Sequence, residues 1–122
     1  MVEIHGSTWS SPAEITIENS DTVGLYDMAV ALRHNGLPAD GQIEVTIRTV
    51  TPDSMWVEEP LAIRIGDDGR SRPAQHEAWA LYRRRVRLSR EGAYRIIITP
   101  TQAVSGVTAV GVDMTQRSDS ER

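Results

Sequence analysis

The stretch GLYDMAVALRH, Gly24 to His34, decides how this chain folds. Read with a period of two, Tyr26, Met28, Val30 and Leu32 fall on one face, and Asp27, Ala29, Ala31 and Arg33 on the other. Successive side chains of a strand point to opposite faces, so the pattern describes a strand with one face in a core. The same alternation recurs on both sides of it. Upstream, Ala13, Ile15 and Ile17 alternate with Glu14, Thr16 and Glu18 before the turn residues Asn19, Ser20, Asp21 and Thr22. Downstream, the segment NGLPADG, residues 35–41, is dense in turn formers and reads as a loop. Ile43, Val45 and Ile47 then alternate with Glu44, Thr46 and Arg48, in a strand that ends near Thr51-Pro52-Asp53.

Met55 to Ile65 reads as a strand interrupted at Pro60, and a proline there points to a sheet edge or a bulge because it cannot donate to a ladder. Gly66 to Leu81 shows no strand alternation. Within it, Pro73 to Tyr82 places Gln75, Ala78, Trp79 and Tyr82 on one face of about two helical turns. Val86 and Leu88 oppose Arg85 and Arg87, and Glu91-Gly92 turns the chain into Ala93 to Thr99, which reads as a hairpin. The last strand, Thr108 to Thr115, sets Val110, Val112 and Met114 against Ala109, Gly111 and Asp113. About seven or eight short strands separated by turns define an all-β class: an antiparallel two-sheet β-sandwich, jelly-roll-like. The expected organisation is a single domain over residues 1–122, with a core from about residue 9 to residue 115 and a polar tail over 116–122. Neither an internal repeat nor a linker is evident.

A chain of 122 residues suffices for one core without staples. Its 13 basic residues, all arginine, face 17 acidic ones, so a net charge of -4 offers no global field for a nucleic acid backbone. With no cysteine, disulfides, thiol nucleophiles and thiolate metal sites are excluded together. No apolar run approaches the ~18 residues of a membrane span, and MVEIHGSTWSS lacks the charged start and apolar stretch of a signal peptide. The chain as written is expected to be soluble, with an exported origin left open.

His5, His34 and His76 have none of the paired spacings that metal sites on one element use, and read as surface or turn residues. Gly66-Asp67-Asp68-Gly69 lacks the alternating ligands and terminal glutamate of a calcium loop, and reads as a tight turn. No nucleophile elbow and no phosphate loop is present. The expectation is a noncatalytic domain with no cofactor and no metal.

One local departure from the acidic average stands out. Arg83, Arg84, Arg85, Arg87 and Arg90 crowd the chain just after Trp79 and Tyr82. Strict alternation places Arg83, Arg85 and Arg87 on one face, away from Val86 and Leu88. That face is either solvated and paired with glutamates on neighbouring strands, or a patch for an acidic partner or headgroup. Because Trp, Tyr and Arg are enriched at binding hot spots, Trp79, Tyr82, Arg83, Arg85 and Arg87 form the candidate interaction surface. Trp9, Trp56 and Trp79 are either packing residues or, if two prove exposed and coplanar, stacking platforms for a sugar.

Taken in order, several segments resemble the gliding motility lipoprotein family called GldH. They are Trp9 ahead of the first strand, Ser20-Asp21-Thr22 followed by Tyr26-Asp27-Met28, and Leu32-Arg33-His34. The C-terminal half adds Tyr82 through Leu88, Gly92-Ala93-Tyr94 and Ser105 through Val112. Together they span roughly Trp9 to Met114. The chain departs from the family at Leu37-Pro38-Ala39, where rings commonly flank the proline, and at Pro52-Asp53-Ser54, where a Pro-Asp-Gly turn is usual. The resemblance implies a noncatalytic lipoprotein of the gram-negative cell envelope. It implies partners among other envelope proteins of the gliding machinery and its linked secretion system, and a periplasm-facing position. It also implies a lipid-bearing cysteine upstream of Trp9, which residues 1–8 do not contain, holding the domain at a membrane. In this reading the region from Gly66 to Arg85 is the contact surface. A carbohydrate-binding jelly roll is the alternative.

Overall fold

The computed structural model describes residues 2–6, 8–35, 41–65 and 76–117, the side chains of His76 and Arg117 excepted. Those residues form ten strands: β1 Val2–Glu3, β2 Thr8–Trp9, β3 Ala13–Asn19, β4 Leu25–His34, β5 Gln42–Val50, β6 Trp56–Arg64, β7 His76–Val86, β8 Gly92–Pro100, β9 Val104–Ser105 and β10 Val107–Arg117. Two four-stranded antiparallel sheets result, one in the order β1-β10-β4-β7 and the other in the order β3-β8-β5-β6, with β2 and β9 paired as a small ribbon. Along the chain every connection between these eight strands changes sheet except β5 to β6. This is the jelly-roll arrangement.

The alternation read from the sequence supplies the inner faces. Met28, Val30 and Leu32 of β4 face Ile43, Val45 and Ile47 of β5, Ile63 of β6, and Ile96 and Ile98 of β8, all buried in one cluster. Burying each such aliphatic side chain contributes about 1.5–3 kcal/mol. Trp9 joins the cluster, and its Nε1 donates to the Ser11 carbonyl oxygen at 2.8 Å, so the indole is buried with its polar atom satisfied. Pro60 sits on β6, which among the described residues pairs only with β5, in keeping with an edge position.

Three turns meet at one end of the sandwich. Asp21 accepts the backbone N–H groups of Gly24 at 2.9 Å and Val23 at 3.1 Å and the Tyr26 hydroxyl at 2.9 Å. These donors hold its carboxyl below the usual range. Asn19 Nδ2 donates to the carbonyls of Leu88 and Arg90, tying the segment after β7 to the end of β3. Gly92 has φ +123°, and a Cβ there would stand 3.1 Å from the Pro52 side chain, so both conformation and space call for glycine.

Two expectations are corrected. Residues 76–81 are strand, not helix; residues 66–75, which hold the rest of the irregular stretch and Gly66–Gly69, lie outside the described residues, as do 36–40 and 118–122. The segment EAWALY misleads because both of its parities are apolar, so neither period stands out, and small Ala78 takes the inner side while Trp79 faces out. Nor do β7 and β8 form a hairpin. β7 pairs with β4 and β8 lies between β3 and β5, so residues 87–91 cross from one sheet to the other. A turn signal says that the chain reverses, not which strand it reverses onto.

Candidate functional site

The five residues singled out by sequence all come from β7 and the segment after it, and the structure disperses them. β7 keeps a regular antiparallel register with β4 from Arg33 opposite Glu77 to Ala29 opposite Leu81. One extra residue then enters between Leu81 and Arg83, which faces Met28, and a second between Arg83 and Val86, which faces Tyr26. Each extra residue is a bulge that resets the alternation. At the second, Arg85 adopts φ +54° and its N–H donates to Asp27 Oδ1 at 3.0 Å, a side-chain partner in place of a ladder bond. The expected shared face of Arg83, Arg85 and Arg87 therefore does not form. Arg83 turns to the seam between the sheets, Arg85 sits at the bulge opposite Asp27, and Arg87 lies beyond the strand with its Nε donating to the Val23 carbonyl at 3.3 Å.

At the seam, where edge strand β6 meets edge strand β7, Tyr82 and Arg83 converge on Glu59. The Tyr82 hydroxyl donates to Glu59 Oε1 at 2.5 Å, and Arg83 Nη2 pairs with the same oxygen. The tyrosine hydrogen bond, then the arginine charge, hold the Glu59 carboxyl below its usual range against the opposing effect of burial. Burial, then the bond to Glu59, push the Tyr82 phenol up. Behind the cluster lies a cavity of ≈ 70 Å³ lined by Ile17, Met28, Val57, Val86, Leu88 and Ile96. That is under half of the roughly 150 Å³ that accommodates a benzene ring, so it holds a small aliphatic group at most. A single carboxylate engaged by two donors over a small apolar void closes the sandwich edge; it does not present a poised acid and base.

The two outer faces differ. On the β3-β8-β5-β6 sheet, Arg95 donates to both oxygens of Glu14 at 3.0 and 2.9 Å, and those bonds hold the Glu14 carboxyl below its usual range. Arg48 pairs with Glu58 at 3.2 Å, and its guanidinium carbon lies 4.4 Å from the centroid of the Trp56 ring. On the β1-β10-β4-β7 sheet the rows across β10, β4 and β7 read Gly111, Ala31, Trp79 and, next to it, Asp113, Ala29, Leu81. Trp79 is 54% exposed and Leu81 44%, beside an Ala31 that is only 1% exposed. The flanking row carries Arg33, paired with Glu77 at 3.2 Å. Sequence alternation placed Ala29 and Ala31 outward but offered no reason to weigh them. The available signal was that Ala29, Ala31, Ala109 and Gly111 put small residues at outward positions of β4 and β10, between the charged Asp27, Arg33 and Asp113.

Asp27 and Arg33, which share a strand parity, engage different groups on β7: Asp27 accepts the Arg85 N–H, and Arg33 pairs with Glu77. His34 is buried at the end of β4 and is not the surface residue expected, whereas His5 is exposed. Among the described residues no three His, Asp or Glu side chains come together as a metal would require. Trp9 is buried, while Trp56 and Trp79 lie on the outer faces of different sheets, so the exposed tryptophans do not make a coplanar pair. Fold and site together define a jelly-roll β-sandwich domain with one ion-paired outer face and one that exposes Trp79 and Leu81 between charged ends. Comparison of the chain with protein-family models, with curated proteins and with solved structures finds no match.

Proposed function

We propose that this chain is a noncatalytic protein–protein interaction domain of the cell envelope, of the GldH type, held at a membrane by an N-terminal lipid and accessory to the gliding machinery and its linked secretion system. The envelope setting rests on the ordered resemblance from Trp9 to Met114. The observation that carries the interaction role is the pair Trp79 and Leu81, exposed side by side on a sheet face next to Ala29 and Ala31 of β4, with Gly111 and Asp113 beyond them on β10. Large apolar side chains left bare in a contiguous patch mark an interface, and tryptophan is the residue most enriched at hot spots. The contact surface is accordingly Trp79 with Leu81, while Tyr82 and Arg83 serve the seam. The sugar-binding alternative gains no support, because Trp56 and Trp79 face away from each other.

The test is affinity recovery of envelope proteins with the full-length lipidated protein, beside a W79S/L81S variant. Specific recovery of motility or secretion components, lost in the variant, is the expected result. Recovery that survives W79S/L81S moves the contact elsewhere, and recovery of glycans alone replaces the reading with the sugar-binding one.

A further inference from the structure

Along β4 and β7 the outer face that bears Trp79 has a charge pattern that matches itself when turned over. Its middle holds two rows, Gly111, Ala31 and Trp79 in one and Asp113, Ala29 and Leu81 in the other. At one end stand Arg33 on β4 and Glu77 on β7. At the other stand Asp27 on β4 and, opposite it, the exposed Arg84 and Arg85 of the bulge. On both strands the sign of charge therefore inverts across the apolar middle: positive to negative along β4, negative to positive along β7.

We propose that this face is the interface of a homodimer, formed about a two-fold axis that lies in the interface, perpendicular to the strands, at the level of Val30. This rests on the reading of the face as an interaction surface and names its occupant as a second copy of the chain. The rotation sets Arg33 against Asp27 of the second copy and Glu77 against Arg84 and Arg85 of the second copy, brings Trp79 onto Leu81 along edge strand β7, and lays Asp113 over Gly111 of the second copy. Every contact is repeated by symmetry, as an isologous interface requires. Charge selects this axis over the other in-plane choice. A two-fold parallel to β4 would set Arg33 on Arg33 and Asp27 on Asp27, like on like. An unrelated partner would need complementarity to the face, but nothing would require the face to be complementary to itself. Three strands by four rows cover about 14 by 20 Å at ordinary strand spacing. That is about 280 Å² per copy, below the range of stable specific interfaces, so the dimer is weak, with Trp79 and Leu81 as its main apolar contact and charges at both ends.

The test is sedimentation velocity on the purified chain from about 10 µM to about 1 mM, the range in which a weak dimer associates. R33E/E77R retains an ion pair within the chain but opposes like charges across the dimer, and W79S removes the largest apolar contact. Dimerisation of the wild type, weakened more than tenfold in both variants while their thermal midpoints stay near the wild-type value, is the expected result. A wild type that stays monomeric at about 1 mM, or an R33E/E77R chain that dimerises as well as wild type, overturns the proposal. If the wild type is monomeric and W79S/L81S still loses its envelope partners, the face belongs to a different protein and only the homodimer fails. If neither assay responds to Trp79, both readings fail.

Discussion

Trp56 and Trp79 occupy equivalent places, each on the outer face of an edge strand, and they are 59% and 54% exposed. Their surroundings differ. Arg48 lies over the Trp56 ring and is itself held by Glu58 across the β5–β6 pair. Trp79 stands beside Ala31 with no cation over its ring among the described residues. Exposure alone does not separate the two; what covers the ring does. A tryptophan under a fixed guanidinium already has its interaction, whereas a bare one beside alanine and glycine gains by burying its apolar surface against another molecule.

The largest effects test whether the faces differ only on the outside. Leu32→Ala beneath the apolar face and Ile47→Ala beneath the ion-paired face each create a cavity in the shared core. Each is expected to cost about 2–5 kcal/mol in urea unfolding. A cost below about 1 kcal/mol for either would mean that the two sheets do not share one packed core. Next come the tryptophans themselves: W79S should weaken self-association more than tenfold, and W56S should leave it unchanged. Equal losses would erase the distinction drawn between them.

Smaller effects sharpen the local picture. Arg85→Gly relieves a left-handed backbone at the bulge and should stabilise the fold by about 1 kcal/mol in thermal unfolding, and a loss would show that the arginine side chain holds the bulge. Arg48→Ala uncovers Trp56 and should cost about 0.5–1 kcal/mol. The seam gives the smallest effect, and it depends on pH. The folded carboxyl of Glu59 is depressed by Tyr82 and Arg83, so its stabilisation is present above the ordinary glutamate range and is lost as pH falls through and below that range. The stability difference between wild type and Glu59→Gln should therefore shrink on acidification, from a value under about 1 kcal/mol for so exposed a pair. A difference that does not vary with pH would show that the carboxylate charge contributes nothing there.

Much of this architecture is legible one residue at a time. The inner positions of β3, β4, β5 and β10 follow from alternation, Pro60 pointed to an edge, and Gly92 takes a positive φ at the turn. The site was only partly legible. Trp79 was named, but it was grouped with Arg83, Arg85 and Arg87 on the assumption of unbroken alternation, which two bulges defeat. Leu81, Ala29 and Ala31 escaped notice because nothing in a single strand shows that its small outward residues lie beside another strand's tryptophan. Glu59 had no signal at all. A glutamate at an inward position reads as an exception until Tyr82 and Arg83 arrive from a strand more than twenty residues away.

By itself the sequence determined the strand class, most strand positions, the inner set of aliphatic residues and the exclusion of disulfide and thiol chemistry, because these depend on periodicity and composition within short windows. Tertiary structure alone decided which strands share a sheet, where β7 bulges, and that Arg33, Glu77, Asp27 and the Arg84–Arg85 bulge frame Trp79 and Leu81 on one face. Those outcomes are set by pairing between distant segments. A bulge is defined only against a partner's register, and a face only by the strands laid beside it.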